Sequence, residues 1–396
     1  MKPVRDSFVT SYEGSRIVYG RGCIGRIGET LAEHDLDRAL VVCGSNVGAN
    51  DRLMDQLRRG LGTRLGAVFD ETTPAKSVET VYDGIERLEE VDPDVIVGVG
   101  GGSSLDIARQ ISVFAADGRS LEEVRTAARE QRLKPPDPDE PAAPVVGVPT
   151  TLAGADISAA GSIEILPPGD SPTGHPVRAS GRVTPLAIFY DPGLFETTPT
   201  GALAGSAMNG FNKGIERIYA DGSTAITDAV AINGLQLLED SLPRLSEHDP
   251  DAMDRTVAGI ILVQIDRRLS IIHAFGHGFA RSYPIQQGIA HAIVTPPVLR
   301  YVFDEIDGCR GLLAEGLNVD VASLSDAEVA DVVVEQVAAV RDSLELPQRL
   351  RQIDEIERAD LPGIAEYVHG DVFMGNAPDG LQPGVEEIEA VLRDAW

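Results

Sequence analysis

The order of hydrophobic and polar positions divides the chain near its middle. Up to about residue 192, short β-branched and aliphatic runs alternate with segments whose apolar positions recur every three to four residues. This alternation predicts a parallel sheet covered by helices on both faces. Residues 116–144 are charged and rich in proline and predict one helix followed by a surface connection. Strands are predicted at 38–43, 65–69, 95–99, 145–148, 162–165 and 186–190, and helices at 51–61, 78–91 and 104–115.

Strand signals fade in the second half, where helical periodicity dominates. Helices are predicted at 202–219, 224–243, 252–281, 287–302 and 325–343. The predicted fold is an α/β domain over residues 1–192, with a Rossmann-like parallel sheet, and an all-α domain over residues 193–396. A chain of 396 residues exceeds the size at which single cores usually stop growing, and this also favours two domains.

The charge of the chain is strongly negative. It carries 62 acidic and 34 basic residues, for a formal net charge of −28, and the acids are spread along its length. Nucleic acid is therefore not an expected partner. Arginine supplies all but four of the basic residues, the lysines being at positions 2, 76, 134 and 213. This bias predicts a halophilic protein whose surface carboxylates hold water at high salt, with generic acidity as the alternative.

The chain shows no signal for export or for membrane insertion. No apolar run approaches the roughly 18 residues of a membrane span, and the first residues lack the apolar core of a secretion signal. Its cysteines, Cys23, Cys43 and Cys309, are too widely spaced to form a disulfide framework. We therefore expect a cytoplasmic protein that contacts no membrane.

One segment carries the first indication of chemistry. The buried strand predicted at 95–99 runs into Gly100, Gly101, Gly102 and Ser103, and a helix follows. Glycines let backbone N–H groups approach phosphate oxygens closely, and the positive end of the helix favours an anion. The segment therefore predicts a site for the pyrophosphate of a nicotinamide dinucleotide. A tight turn without a ligand is the alternative.

Several motifs in a fixed order carry a family resemblance. They are GGGSSLDIAR at 100–109, VPTTLAGAD at 148–156, YDP at 190–192, GSAMNGFNKGIE at 205–216, HAFGHGFA at 273–280 and PIQQGIAHAI at 284–293. Together they resemble the iron-containing alcohol dehydrogenase superfamily, with its dehydroquinate synthase-like fold, over about residues 17–378. The segment TTLAGAD and the Met208–Asn209 pair are similar to the maleylacetate reductase branch in particular.

The resemblance implies an NAD(P)-dependent oxidoreductase, an alcohol dehydrogenase or carbonyl reductase. Such an enzyme interconverts a small carbonyl compound, such as a 2-oxo or dicarboxylic acid, and its reduced form in a cleft between the two domains. A lyase of the dehydroquinate synthase type and a cofactor-binding pseudoenzyme remain as alternatives. The family usually pairs through its N-terminal region, which makes a homodimer possible.

The resemblance also assigns the cofactor residues. Residues Gly100 to Ser103 hold the pyrophosphate, Asp106 supports that turn, and Thr150 and Thr151 line the cofactor cleft. Many family members carry an aspartate that rejects a 2′-phosphate at the position of Gly44. The absence of this aspartate permits NADP(H), with Ser45 and Asn46 as hydrogen-bond donors to the 2′-phosphate, and gives a slight preference for NADP(H) over NAD(H).

The predicted metal site departs from the family, whose members typically present one aspartate and three histidines. The matching positions here are Asn209, Lys213, His273 and Gln287. Amide oxygens bind such metals weakly, and an ammonium has no lone pair to donate. We therefore expect no catalytic metal, and we expect the Lys213 ammonium to stabilise the negative charge that develops on the carbonyl oxygen. A solvated surface lysine is the alternative.

The remaining assignments follow from helical spacing and from the same resemblance. Asn209 and Lys213 share one helix face, as do His273 and His277 on another. His273 is the expected general acid, while His277 is either catalytic or a core histidine capped by a backbone carbonyl. Residues 371–378 resemble the segment that closes over the active site in the family. The candidate substrate contacts are Gln287, Arg281 and His291, with Tyr283 as a further side chain that could face the cleft.

Overall fold

The computed structural model describes residues 14–247, 249–265, 268–280 and 282–396. These residues form two compact units. The first, which we call the α/β unit, contains residues 14–151 and Ala155–Thr198. The second, the helical unit, contains Leu152–Gly154 and Pro199–Trp396. The chain thus leaves the α/β unit for three residues before returning to it, a feature that the predicted single boundary after residue 192 does not contain.

The α/β unit is built on a parallel sheet, as predicted. Six of its strands lie in the order β1-β8-β5-β4-β2-β3. The other two strands, β6 and β7, form a separate antiparallel pair, so the strand predicted at 162–165 lies outside the parallel sheet. The strands are β1 Arg16–Tyr19, β2 Ala39–Val42, β3 Leu65–Phe69, β4 Val95–Gly100, β5 Val145–Pro149, β6 Ile163–Leu166, β7 Val177–Ala179 and β8 Ala187–Tyr190.

Helices cover both faces of this sheet. Successive residues of a strand point to opposite faces, and here both sets are apolar. Val97 and Val99 of β4 pack into one core, and Ile96 packs into the other together with Leu40 of β2. Strands buried on both faces read as continuous apolar runs, which is why they were visible in the sequence. The helices are α1 Ile27–Ala32, α2 Ser45–Gly48, α3 Asp51–Leu61, α4 Val78–Val91, α5 Gly102–Asp117, α6 Leu121–Arg129 and α7 Pro192–Phe195.

The helical unit consists of helices joined by short turns. The helix predicted at 252–281 corresponds to two helices, α10, which ends at Gln264, and α11, which begins at Ile271; its predicted last residue, 281, lies outside the described residues. Helices α13, α15 and α16 lie outside the predicted segments. The helices are α8 Thr200–Tyr219, α9 Ala225–Ser241, α10 Pro250–Gln264, α11 Ile271–Ala280, α12 Gln287–Glu305, α13 Arg310–Gly316, α14 Asp326–Ser343, α15 Leu361–His369 and α16 Val385–Asp394.

Two helices of this unit cross at very close range. A Cβ atom added to Gly288 of α12 would lie 1.6 Å from the carbonyl oxygen of Gly205 in α8. The crossing therefore requires a residue without a side chain, and it fixes the register between the two helices. None of the helices in the described part of the chain is long and apolar enough to cross a membrane.

Candidate functional site

The glycine turn lies where β4 ends and α5 begins. Gly100 has a φ of +128°, a conformation that favours glycine. Gly101 is the N-cap of α5 and provides no side-chain cap, so the N–H groups of the first helical turn point to the end of the helix without an intrahelical acceptor. A Cβ atom on Gly101 would lie 3.2 Å from Cγ2 of Thr151. The turn is therefore a cradle of backbone donors that stays open because it has no side chains.

The predicted cofactor residues Thr150 and Thr151 lie beside this turn. The Thr150 backbone N–H donates to the Gly100 carbonyl at 3.0 Å, and its carbonyl accepts from the Thr198 hydroxyl at 2.8 Å. Thr150 is buried, whereas the Thr151 side chain is the one that contacts Gly101. Thr150 thus fixes the end of β5 against the turn, and Thr151 forms its wall.

Asp106 lies one helical turn beyond the glycines and is held by two cations. Its carboxylate oxygens are 2.9 Å from Lys76 Nζ and 3.1 Å from a guanidinium nitrogen of Arg109. Arg109 is buried and also donates to the carbonyl of Asp156 at 2.6 Å. The network ties α5 to two loops of the α/β unit, a role that agrees with support of the turn. Neither cation was predicted.

Gly44, Ser45 and Asn46 begin the next turn along the same edge of the sheet. Gly44 is the N-cap of the short helix α2, and both Ser45 and Asn46 are exposed. A Cβ atom on Gly44 would lie 3.1 Å from the Thr72 carbonyl oxygen. Because β2 is hydrogen-bonded to β4, the two glycine-containing turns are neighbours. This edge fits an extended dinucleotide, with the pyrophosphate on the N–H groups of α5.

A polar cluster occupies the interior of the helical unit. Helix α8 contributes Asn209 and Glu216, and α11 contributes His273. His273 Nε2 lies 3.1 Å from Asn209 Oδ1, and on its other side His273 Nδ1 contacts the Glu216 carboxylate. The imidazole is therefore held at both nitrogens, which fixes the ring orientation. The structure brings together Asn209 and His273, two of the predicted site residues, and adds a buried carboxylate.

Glu216 is the residue that sequence reasoning missed. It is fully buried, and burial raises its pKa to about 8. The carboxylate also accepts the backbone N–H of His273 at 2.9 Å, and the backbone N–H groups of Ser270 and Ile272 hold it further. These donors lie at the start of α11, so Glu216 caps that helix. Its spacing from Asn209 and Lys213, on one helix face, was the available signal.

Lys213 is buried, with 4% of its surface exposed. Its ammonium donates to the carbonyl of Ala153 at 2.8 Å and also to that of Gly154. The alternative of a solvated surface lysine is therefore wrong. The charge of Lys213 lowers the pKa of both Glu216 and His291. The cation thus lies within electrostatic reach of the His273 cluster and is anchored by main-chain oxygens.

His291 and Gln287, both from α12, add polar atoms to the cluster. The His291 ring lies 4.4 Å from the His273 ring, measured between centroids. His291 is fully buried, and burial and the neighbouring positive charges hold its pKa well below the usual value, so it is neutral at pH 7. Neither of its ring nitrogens, nor Nε2 of Gln287, has a hydrogen-bond partner among the described residues. These buried polar atoms are suited to a bound molecule.

His277 is paired with a carboxylate that the sequence did not predict. Its Nδ1 lies 2.8 Å from Asp371 Oδ2, and its ring packs against Phe373 at 4.9 Å between centroids. Phe373 also lies 6.3 Å from the His273 ring. The segment 371–378, identified by resemblance as a closing segment, thus contacts both histidines of α11.

The two remaining substrate candidates behave differently. Arg281 lies outside the described residues. Tyr283 is hydrogen-bonded to Asp360, and burial together with that bond raises the pKa of its hydroxyl to about 12. Its hydroxyl therefore serves a structural contact within the helical unit.

The donor set does not fit a divalent iron or zinc ion. In the described residues, no three His, Cys, Asp or Glu side chains converge on one point as a metal would require. Of the four positions matched to metal ligands, one holds an ammonium and two hold neutral amides, and the fourth, His273, has both ring nitrogens engaged. An ammonium repels a dication, and amide oxygens bind it weakly.

Comparison with protein families accounts for nearly the whole chain. Residues 14–192 match the family described as iron-containing alcohol dehydrogenase, and residues 203–396 match its C-terminal family. A curated relative, the NAD-dependent methanol dehydrogenase of Bacillus methanolicus, is 24% identical over 96% of this chain and 97% of its own length.

Solved structures agree with this at the level of the fold. A 1,3-propanediol oxidoreductase matches with a TM-score of 0.87 and 21% identity, over 98% of this chain and 100% of that one. The maleylacetate reductase of Agrobacterium tumefaciens matches with a TM-score of 0.76 and 21% identity, over 99% of each chain. Both the predicted parallel sheet and the predicted helical second half are present in this shared fold.

Proposed function

Because the chain belongs to the iron-containing alcohol dehydrogenase family, we propose that it transfers hydride between a nicotinamide dinucleotide and a small carbonyl compound without a catalytic metal. The observation that carries the proposal is the buried Lys213 ammonium beside the cluster of Asn209, Glu216 and His273. In the proposal, this fixed positive charge takes the part that a metal cation plays in metal-dependent members.

The cofactor half of the proposal rests on the α/β unit. Gly100 to Ser103 would hold the pyrophosphate through the free N–H groups of α5, with Thr151 as the wall of the turn. When bound, the nicotinamide supplies or accepts the hydride. The absence of a carboxylate at Gly44 leaves both NAD(H) and NADP(H) open, and the charge that faces the 44–48 turn decides between them.

In the reducing direction, charge and proton supply follow from the helical unit. As hydride adds to the carbonyl carbon, the π electrons of the C=O bond move to oxygen, and the Lys213 ammonium stabilises the resulting oxyanion. His273 Nε2 then delivers a proton to that oxygen, giving the alcohol. Glu216, on the other ring nitrogen, holds the imidazole in place, and because its raised pKa keeps it protonated, its proton can move to Nδ1 as Nε2 gives up its own. Oxidation of the alcohol runs through the same groups in reverse.

The substrate side of the proposal rests on unsatisfied polar atoms. Both ring nitrogens of neutral His291, and Nε2 of Gln287, offer hydrogen bonds that the described residues do not use. A 2-oxo acid or a dicarboxylic acid brings several acceptor oxygens for the single N–H of the neutral His291 ring and the amide N–H groups of Gln287, whereas a simple aliphatic aldehyde brings one. We therefore propose a small oxo acid as the substrate class.

The test is a set of Lys213 variants assayed for carbonyl reduction with both reduced cofactors and a panel of small oxo acids. Lys213→Met keeps the length of the side chain and removes its charge, so we expect kcat/KM to fall by at least about a hundredfold, the cost of losing one oxyanion donor. Lys213→Arg keeps the charge and should retain more activity. Lys134→Met is the matched control, because Lys134 is exposed.

Three measurements make the outcome clear. Urea denaturation separates lost catalysis from lost folding, since Lys213 also anchors Ala153 and Gly154. Metal analysis of protein purified without chelator should find well below one iron or zinc per chain, and a chelator should leave the rate unchanged. Stoichiometric metal with chelator-sensitive activity, or a folded Lys213→Met variant with full activity, would contradict the proposal.

A further inference from the structure

The end of β2 lies directly beside the end of β3. Val42 is opposite Phe69 in the parallel register. The pairing continues past both strands, because the Cys43 N–H donates to the Phe69 carbonyl at 2.9 Å and the Thr72 N–H donates to the Cys43 carbonyl at 3.1 Å. Asp70, the first residue after β3, therefore leaves the sheet beside the turn that begins at Gly44.

The Asp70 side chain lies on that turn. A Cβ atom added to Gly48 would be 2.8 Å from both Cβ and Oδ2 of Asp70. Gly48 is three residues after Ser45 in α2, so the two positions share a helix face. The carboxylate therefore lies on the same face as Ser45. Its charge also acts at the end of β2, on the Cys43 thiol. Burial, as the larger cause, and the negative charge of Asp70, as the smaller one, raise the pKa of that thiol to about 12.

The carboxylate is accessible and uncommitted. Asp70 is exposed and makes no side-chain hydrogen bond or ion pair with any residue that the structure describes. The nearest lysine along the same loop, Lys76, has its ammonium 2.9 Å from Asp106 Oδ2. The negative charge of Asp70 is thus left unpaired on the 44–48 turn.

We infer that Asp70 supplies, from the neighbouring strand, the carboxylate that position 44 lacks, and that it makes the protein select NAD(H) over NADP(H). In dinucleotide-binding folds of this kind, an acidic side chain near the strand adjacent to the glycine turn accepts a hydrogen bond from the 2′-hydroxyl of the adenosine ribose. A 2′-phosphate in that place has no such proton to donate and brings about two negative charges, which the carboxylate repels. The inference rests on the proposed function and reverses the preference that Gly44 alone suggested.

The experiment compares the dissociation constants of NADH and NADPH, measured by fluorescence titration at one fixed salt concentration. The wild-type protein should bind NADH at least about tenfold more tightly than NADPH. Asp70→Asn keeps the shape and removes the charge, and it should narrow this ratio at least about fivefold, mainly through tighter NADPH binding. Asp83→Asn makes the same change at an exposed aspartate of α4 and should leave the ratio unchanged.

The outcomes separate this inference from the proposed function. Equal binding of the two cofactors, tighter binding of NADPH, or an unchanged ratio in Asp70→Asn would overturn the role of Asp70 and leave the oxidoreductase proposal in place. A ratio that narrows equally in Asp83→Asn would show a general charge effect and would also overturn it. Failure to bind either cofactor would overturn the proposed function itself, together with this inference.

Discussion

The buried Glu216 carboxylate makes folding stability depend on pH in a direction that can be worked out from the structure. Burial raises its pKa from 4.5 to about 8 in the folded chain. At a pH between these two pKa values, the Glu216 carboxyl has lost its proton in the unfolded chain and keeps it in the folded chain. The folded state thus binds more protons, and the contribution of Glu216 to the free energy of unfolding falls as pH rises. Above about pH 8 the folded carboxyl has also ionised, and the contribution becomes constant.

The slope has a definite size. One pH unit inside this interval corresponds to about 1.4 kcal/mol for a single titrating group. Glu216→Gln removes the titration while keeping the shape of the side chain. We therefore expect the wild-type free energy of unfolding, minus that of Glu216→Gln, to decrease by up to about 1.4 kcal/mol per pH unit from pH 5 towards pH 8. Every other titrating group is shared by the two proteins and cancels to first order.

The assay is urea denaturation followed by far-UV circular dichroism at several pH values and one salt concentration. Glu355→Gln is the matched control for the loss of one carboxyl group, since Glu355 is exposed in the same unit. A flat difference curve for Glu216→Gln over the same range would refute the reasoning. It would mean that the Glu216 carboxyl ionises in the folded chain as it does in the unfolded one.

Two further predictions concern the glycine turn and the surface charge. Gly101→Val, which puts a branched side chain against Thr151, should weaken NADH binding at least about tenfold with an unchanged urea midpoint, because the side chain fills the cradle for the pyrophosphate; unchanged NADH affinity in a fluorescence titration would contradict that assignment. The net charge of −28 should make the urea midpoint higher at about 2 M KCl than at about 0.2 M KCl, since salt screens the repulsion among carboxylates. A midpoint that is lower at the higher KCl concentration would contradict the halophilic expectation.

The family, the class of enzyme and the fold were all readable from the sequence, for physical reasons. Strands buried on both faces form unbroken apolar runs, and the glycine turn needs residue types that no other feature explains. The motifs of the second half are in fixed order, and the family match confirms the resemblance that they carry. As a member of this family the chain is an alcohol dehydrogenase-type oxidoreductase, as predicted.

The site itself was only partly visible, because its key contacts join distant segments. In the sequence Glu216 is one of several polar residues of a predicted helix, and its role becomes visible once the structure shows that it caps α11. The end of α10 could not be located in the sequence because the periodic apolar pattern does not mark it. Asp70 became relevant once β3 was known to pair with β2. The catalytic roles of Lys213, His273 and Asn209 stay predictions, although the structure shows all three near one buried carboxylate.

The three residues Leu152–Gly154 carry a practical consequence for anyone who would divide this protein. They lie between two stretches of the α/β unit in the chain, yet they pack with the helical unit, where Lys213 binds two of their carbonyl oxygens and Ser206 accepts the Leu152 N–H. A fragment that begins at residue 199 would contain the lysine but not its acceptors, leaving a buried cation without them. The C-terminal half taken alone therefore lacks part of its own packing, even though it matches a family of its own.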